Sequence, residues 1–252
     1  MKELTYTAKS FLLLLGLACY LAFLCSNITT ATPGGASVTN LSTTTYSGTP
    51  DSRSDRGGTI TTVTLSTIAQ DSAWKAYVGN ISGSLVLRNS GGWSIYQWVL
   101  NASTMSANIF VSRNGSVTWA SIRCANSTIV GSEQTFLGMS GTAPDNINKT
   151  FNYTAHRGMT ISSVGTIANN TCPSTATNVN GTAQTVTESA YFQEILLYDT
   201  TNLVYGTFVS QESWGYDNNA SAPVTYDFQF IVAENSSAST GTTYYFYADI
   251  TG

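Results

Sequence analysis

The chain has 252 residues, of which only 10% are charged, and its formal net charge at pH 7 is −4. That length is enough to bury a sizeable core in one domain. The sparse charge, with no basic patch interleaved with aromatic residues, argues against a nucleic-acid-binding protein.

The N-terminus predicts export from the cell. Lys2 and Lys9 precede an apolar run of 15 residues, Phe11 to Cys25, which is short for a membrane-spanning helix and typical of a signal-peptide core. Small residues follow, and a cut after Ala31 fits the usual cleavage pattern. We therefore predict a signal peptide over residues 1–31 and a secreted, cell-surface location. An uncleaved N-terminal anchor is the alternative.

Residues 32–57 are rich in Thr, Ser, Gly and Pro and nearly lack large apolar side chains. Such a composition cannot bury enough surface to fold alone and predicts a flexible arm. From Gly58 the sequence begins to alternate, and Ile60, Val63 and Leu65 predict a first strand near residues 58–67. A strand that hangs on a flexible arm is a candidate donor strand for a neighbouring subunit.

The remainder predicts an all-β domain. SLVLR and WSIYQWVL flank Asn-Ser-Gly-Gly, NIFVSR and SVTWASIRC flank Asn114-Gly115, and YFQEILLYD and LVYGTFVS flank Thr-Thr-Asn, so each pair predicts a hairpin. INKTFNYTA, MTISSVGTIA, VTYDFQFIVAE and TTYYFYADIT predict further strands, and no window predicts a substantial helix. About 11–12 short strands indicate a single two-sheet β-sandwich, jelly-roll-like, over residues 58–252.

Cysteine usage agrees with export. Cys19 and Cys25 lie in the leader, which leaves Cys124 and Cys172 as one pair in the mature chain. Two cysteines in an exported β-protein predict a disulfide. We predict no metal site and no cofactor, since Asp-rich stretches at residues 51–55 and 215–221 match no defined calcium loop and read as turns.

Asn-x-Ser/Thr acceptor sites are abundant, at 12 of the 19 asparagines, including Asn27 in the leader. An occupied site requires a solvent-exposed segment in an exported protein. A coat of covalent glycans over most faces would restrict the docking of a large substrate and favours a structural role. The sites in the mature chain are Asn40, Asn80, Asn101, Asn114, Asn126, Asn148, Asn152, Asn169, Asn180, Asn219 and Asn235.

The charges are distributed unevenly along the chain. Residues 32–157 contain eight basic and five acidic residues, whereas residues 158–252 contain eight acidic residues and no Lys or Arg. Oppositely charged ends favour head-to-tail association of identical subunits. Compositional drift in a chain with few charges is the alternative explanation.

Catalytic patterns are weak. Glu188 and Glu194 could be a glycosidase acid pair, and Gln97 with Glu194 a peptidase dyad, but nothing local in the sequence supports either pairing. His156 is the only histidine, and no G-x-S-x-G motif accompanies it. We therefore predict that the protein is not an enzyme, with a secreted hydrolase as the least favoured alternative.

Aromatic residues suggest a contact surface. Trp93 and Ile95 alternate with Tyr96 and Trp98 on one strand, so that one face should be core and the other free to contact sugar or a neighbouring subunit. Trp214 is a further candidate contact. These tryptophans predict, as the alternative function, a carbohydrate-binding or adhesin module.

The segments AWKAYVGNISGSLVL…IYQW, EILLYD, YDFQFIVAE and TTYYFYADI resemble a family of exported archaeal surface glycoproteins, of S-layer-associated or filament-forming type. The likeness covers roughly residues 58–252 and carries no catalytic residue. In some such proteins an N-terminal strand completes the sheet of the next subunit. The resemblance implies a structural glycoprotein that self-assembles into a filament or pilus, with copies of itself or other surface-layer proteins as partners.

Overall fold

The computed structural model describes residues 32–100, 106–209, 225–238 and 240–251. The predicted signal peptide therefore lies outside the described residues. In the described part of the chain, no helix is long and apolar enough to cross a bilayer. The described residues from Pro33 onwards belong to one unit.

The described residues form thirteen strands and two α-helices, so the predicted all-β class is confirmed. The strands are β1 (Gly34–Gly35), β2 (Trp74–Gly79), β3 (Gly83–Arg88), β4 (Ser94–Leu100), β5 (Ser106–Ser112), β6 (Arg123–Cys124), β7 (Met159–Ile161), β8 (Gly165–Ile167), β9 (Ser174–Ala176), β10 (Gln193–Tyr198), β11 (Leu203–Phe208), β12 (Phe228–Ala233) and β13 (Tyr245–Thr251). The helices are α1 (Ser127–Phe136) and α2 (Ile147–Thr150).

A central antiparallel sheet organises the molecule, with the strand order β1-β13-β5-β11-β10-β6 and with β9 also paired to β10. All six residues of β10 and all six of β11 are buried. Three two-stranded antiparallel sheets accompany the central one: β2 with β12, β3 with β4, and β7 with β8.

The central sheet is covered on both faces because its strands place adjacent residues on opposite sides. On one face, Val111, Leu196 and Tyr205 pack with residues of α1, α2 and the β2–β12 sheet. On the other face, Phe110, Ile195 and Val204 pack with the β7–β8 hairpin and with Trp119. The molecule thus has two cores, one on each side of the same sheet.

A ten-residue helix corrects the prediction that the chain has no substantial helix. Asn126 caps α1, since its Oδ1 accepts a hydrogen bond from the Ile129 N–H (3.0 Å), and Gly138 just beyond the helix has φ +67°. The Ser, Thr and Gly content of α1 gives weak intrinsic helix propensity. Burial of Val130 against the sheet supplies the stabilisation that the local sequence lacks.

The segment INKTFNYTA is also not a strand. Its first four residues form α2, which Asn146 caps by accepting the Lys149 N–H at 2.9 Å. Asn146 is itself buried, and its Nδ2 donates to the Gly141 carbonyl at 2.9 Å. An asparagine that satisfies the helix end and the preceding loop together overrides the strand-like alternation of the segment.

The predicted hairpin at Asn114-Gly115 is wrong. Asn114 Oδ1 accepts the Ser116 N–H (3.0 Å) in a local turn, and the chain then passes through a short 3₁₀ turn, Trp119–Ser121, to reach β6. Both edges of β5 are already taken by β11 and β13, so the segment that follows pairs with β10 instead. The tight Asn-Gly turn occurs at Asn180, where Val179 and Thr182 exchange two backbone hydrogen bonds.

The predicted first strand near residues 58–67 does not form within the single chain. Residues 36–73 contain no helix or strand, and every residue from 34 to 72 is exposed. Gly34 and Gly35 do pair with β13, at Ala248 and Tyr247, just before this segment. Residues 37–72 are hereafter called the arm.

Candidate functional site: an exposed arm and an exposed hairpin

The arm carries large apolar side chains into solvent. Ile60 is 101% exposed, Leu65 is 89% exposed and Ile68 is 77% exposed. Its described hydrogen bonds join residues of the arm to one another, such as the Tyr46 N–H to Gln70 Oε1 at 3.1 Å, or to the adjacent Ala73, whose N–H donates to Asp71. A segment with these side chains and no packing partner among the described residues is unusual for a soluble protein.

The β3–β4 hairpin is the second exposed apolar element. Cross-strand pairs place Leu85 opposite Trp98 and Leu87 opposite Tyr96, so these four side chains share one face. The rings of Tyr96 and Trp98 lie 4.7 Å apart between centroids. All four side chains are exposed, although such a cluster is typical of a protein interior.

The opposite face of the hairpin is also exposed, which corrects the expectation that one face would be core. Trp93 is 78% exposed, Ile95 is 80% exposed and Val99 is 82% exposed. The strand register shifts between Leu87 and Arg88, and this irregularity accommodates Ile95. Trp74, by contrast, packs against Phe151 and donates its indole N–H to the Asp145 carbonyl at 2.6 Å. Trp214 lies outside the described residues.

The hairpin contacts the central sheet at its base. A Cβ atom at Gly83 would meet the terminal Cδ1 atom of Ile250, so the start of β3 lies directly against the side chain of a β13 residue. Asp227 Oδ2 accepts the Ile81 N–H at 3.0 Å and fixes the loop between β2 and β3. The base of the hairpin is therefore held in place while the rest extends from the body.

The predicted disulfide between Cys124 and Cys172 is present, with Cα atoms 4.8 Å apart. Cys124 ends β6, and Cys172 precedes β9, so the bond joins the two short strands that share the outer edge of β10. The separation of 48 residues corresponds to about 4 kcal/mol of stabilisation in the chain-entropy model. The disulfide thus closes the edge of the central sheet that lies opposite β13.

His156 has a structural arrangement. Its Nε2 accepts the backbone N–H groups of Thr171 (3.0 Å) and Cys172 (2.9 Å), and its Nδ1 lies 2.8 Å from the Arg157 carbonyl. These contacts suit a neutral ring that carries its proton on Nδ1. Both ring nitrogens are occupied and the side chain is buried, so His156 holds the loop that bears Cys172.

The candidate acid pair does not meet in a cleft. Glu194 is 0% exposed, and its Oε2 accepts the Ile231 N–H at 3.0 Å, while Oε1 has no hydrogen-bond partner in the described residues. Burial raises the pKa of Glu194 well above its ordinary value, against the opposing effect of the Ile231 hydrogen bond. Glu188 is exposed on a loop and accepts the Asn169 amide at 2.8 Å, and Gln97 lies on the exposed β4.

In the parts of the chain that the structure describes, no group of three or more His, Cys, Asp or Glu residues is placed to hold a metal ion. In the Asp-rich stretch at residues 51–55, Arg53 Nε pairs with Asp55 Oδ2 at 2.9 Å. The stretch at 215–221 lies outside the described residues.

Most predicted glycosylation sites that the structure describes are at the surface. Asn114 and Asn235 are half-buried, and Asn101 and Asn219 lie outside the described residues. Two sites have structural contacts: Asn126 Nδ2 donates to Tyr198 Oη (3.2 Å), and Asn169 Nδ2 donates to Glu188. The exposed sites are Asn40, Asn80, Asn126, Asn148, Asn152, Asn169 and Asn180.

In the part of residues 158–252 that the structure describes, the acidic side chains do not form a continuous acidic surface. Four of the eight acids in residues 158–252, Glu194, Asp199, Glu234 and Asp249, are buried. Glu234 pairs with Lys75, and Asp249 accepts the Ser162 N–H at 2.7 Å. Burial disfavours the charged form of Asp199, but the N–H groups of Asn202, Thr118 and Thr201 outweigh this and hold the pKa of Asp199 below its usual value. Much of the charge asymmetry is therefore internal.

Sequence reasoning missed the extent of the exposed hairpin surface. Leu85, Leu87 and Val99 were not recognised as contact residues, although the segment alternates apolar residues on both faces of each strand. That two-sided pattern was the available signal.

No protein-family model, curated protein or solved structure matches the chain.

Proposed function

We propose that this chain is an extracellular, N-glycosylated structural protein of the cell surface that assembles with copies of itself into a filament. Assembly takes place by donation of residues 58–68, the donor segment, from one subunit to a neighbour. The observation that supports this most strongly is the exposure of Ile60, Leu65 and Ile68 in an arm that has no strand partner among the described residues. Burial of such side chains contributes roughly 1.5–3 kcal/mol each.

The surrounding features support this role. An extended segment that adds to the edge of another sheet gains main-chain hydrogen bonds along its length. Because the donor and acceptor surfaces differ, each subunit can give and receive once, and the contact propagates without closing. The many predicted glycosylation sites and the disulfide suit an extracellular protein.

Electron microscopy of the purified mature protein tests the proposal directly. We expect filaments from the wild-type chain and dispersed monomers after residues 58–68 are replaced by a Gly/Ser segment of equal length. A matched control replaces Val38 and Leu41, which are also exposed in the arm, with serine, and should still form filaments. Wild-type protein that stays monomeric across a wide concentration range would contradict the proposal.

A carbohydrate-binding or adhesin module is the second candidate, favoured by the exposure of Trp93, Tyr96 and Trp98. Flat aromatic side chains with one free face can stack on sugar rings, and the Tyr96–Trp98 pair presents two of them together. A glycan array should then show binding that Trp98→Ala removes without changing the circular dichroism spectrum. An array without signal would eliminate this candidate.

A further inference from the structure

The β3–β4 hairpin has the properties of a sheet that lacks a strand. Two-stranded hairpins are at best marginally stable in water, and three or more strands or a packed face are needed for stability. This hairpin has large apolar side chains on both faces, with Leu85 and Trp98 on one and Val86 and Val99 on the other. Its tip and both faces are exposed, so the described residues of the single chain do not provide the missing packing.

The exposed area is large for a monomer. At roughly 200 Å² for a whole aromatic side chain, the exposed fractions of Trp93, Tyr96 and Trp98 alone present on the order of 350 Å². The largest apolar patch on a typical monomer is about 300–600 Å² in all. The exposed parts of five aliphatic side chains add to the area of the rings. The total exposed apolar area approaches the value of about 800 Å² that each partner contributes to a standard interface.

The donor segment matches this surface in its pattern. In an extended conformation Val63 and Leu65 point to one face, whereas Ile60 and Ile68 point to the other. A strand that joins a half-buried sheet would carry polar residues on its outer face. The donor segment has apolar residues on both faces. It therefore matches the β3–β4 hairpin, which is also apolar on both faces.

The length and the lack of charge of the donor segment also match the β3–β4 hairpin. Eleven extended residues span roughly 36 Å and can follow the whole of β4, whose seven residues span roughly 23 Å. Residues 57–70 contain no charged side chain, and residues 83–100 contain only Arg88. Pairing of these two segments would therefore bury little or no unpaired charge.

The glycosylation pattern leaves both segments uncovered. Acceptor sites occur at Asn40, Asn80 and Asn101, and none lies between them. The interval from Asn40 to Asn80 is the longest between neighbouring sites in the chain, and it contains the donor segment. Asn80 and Asn101 flank the base of the hairpin, so attached glycans would border this surface without covering its strands.

We propose that the β3–β4 hairpin of one subunit is the acceptor for the donor segment of a second copy, which joins it as an added strand. This inference rests on the self-assembly proposed above and names the surface that receives the arm. The contact is heterologous, since the arm of the first subunit remains free to enter the hairpin of a third.

A mixing experiment with two complementary variants tests this assignment. The donor variant carries Val63→Asp and Leu65→Asp, and the acceptor variant carries Ile95→Asp and Val99→Asp. These side chains are exposed in the single chain, so both variants should fold, as circular dichroism will verify. Ser90→Asp in the hairpin turn is the matched charge control and should polymerise like wild type.

We expect each variant to be monomeric alone and the mixture to form a 1:1 heterodimer, with a doubled mass by light scattering. The intact arm of the acceptor variant then fills the intact hairpin of the donor variant, and growth stops. Dimers of the donor variant alone would indicate hairpin–hairpin pairing and overturn the assignment. If wild type forms filaments but the mixture stays monomeric, or if the acceptor variant still polymerises, the hairpin is not the acceptor although self-assembly stands. Monomeric wild-type protein would overturn both proposals.

Discussion

Two hairpins of this protein, β10–β11 and β3–β4, have similar local sequence patterns and opposite environments. Both are antiparallel pairs of strands with large apolar residues on both faces. The β10–β11 pair lies at the centre of a sheet and is buried on both sides, whereas β3–β4 extends into solvent. Apolar residues on both faces of a strand therefore predict that both faces are buried. The pattern does not reveal whether the same chain or another molecule buries them.

The disulfide gives the largest expected effect within the buried region. Replacement of Cys124 and Cys172 together by serine should lower the free energy of unfolding by about 4 kcal/mol, because the unfolded chain regains the freedom of a 48-residue loop. Chemical denaturation monitored by fluorescence measures this loss. The arm and the β3–β4 hairpin lie outside the closed loop, so filament formation by the folded fraction should continue. Loss of assembly in fully folded protein would show that the two regions are coupled.

A matched pair of leucines compares the buried sheet with the arm. Leu197→Ala removes a side chain that is fully buried in β10 and should cost about 3 kcal/mol of stability. Leu65→Ala alters an arm residue that is 89% exposed and should change the stability of the monomer by less than about 0.5 kcal/mol. Denaturation at a concentration below that of assembly gives both values. Equal losses would show that the arm packs against its own subunit.

Two ion pairs, one partly buried in the body and one exposed in the arm, extend the comparison to charged side chains. Arg113 binds Glu133 through two hydrogen bonds of 2.7 Å, and the Glu133 side chain is 6% exposed. The hydrogen bond to Glu133 raises the pKa of Arg113 above its ordinary value, although burial lowers it. Glu133→Ala should cost about 2–4 kcal/mol because a partly buried guanidinium loses its partner. Asp55→Ala, in the exposed Arg53–Asp55 pair of the arm, should have no measurable effect on thermal unfolding.

The buried Glu194 predicts a pH dependence of stability. Because burial raises its pKa in the folded state, the folded chain keeps the proton at a pH where the unfolded chain has lost it. Its contribution to stability therefore falls as the pH rises above the unfolded value, near 4.5. Glu194→Gln retains an acceptor for the Ile231 N–H and should raise the melting temperature at pH 8 by more than at pH 5. An identical change at both values would contradict a protonated Glu194.

The sequence predicted the strands whose partners are close in the chain or whose alternation is strong. The β10–β11 and β3–β4 hairpins and strands β12 and β13 formed where they were expected. Strand β2 was missed because WKAYVG has little alternation of its own and its partner, β12, lies about 150 residues away, so no adjacent strand and turn mark it. Helix α1 was missed because Val130 and the ion pair of Glu133 stabilise it through tertiary contacts rather than through local propensity.

The candidate site was predicted in part for a related reason. Ile60, Val63, Leu65, Trp93 and Trp98 were identified from their alternation, and the structure finds all five exposed. Alternation gives the direction of each side chain but not the element that covers it, so one face of β4 was wrongly expected to be core. Burial depends on contacts that no local pattern encodes, and we propose that in this protein a second copy of the chain supplies them.

The most direct test of the central claim is the mass of the 1:1 mixture of the Val63→Asp/Leu65→Asp variant with the Ile95→Asp/Val99→Asp variant, measured by light scattering after size-exclusion chromatography. Donation of the arm to the hairpin predicts that each variant is monomeric alone and that the two combine into a single heterodimer. A mixture that remains monomeric while the wild-type chain forms filaments would contradict the pairing of the arm with the β3–β4 hairpin.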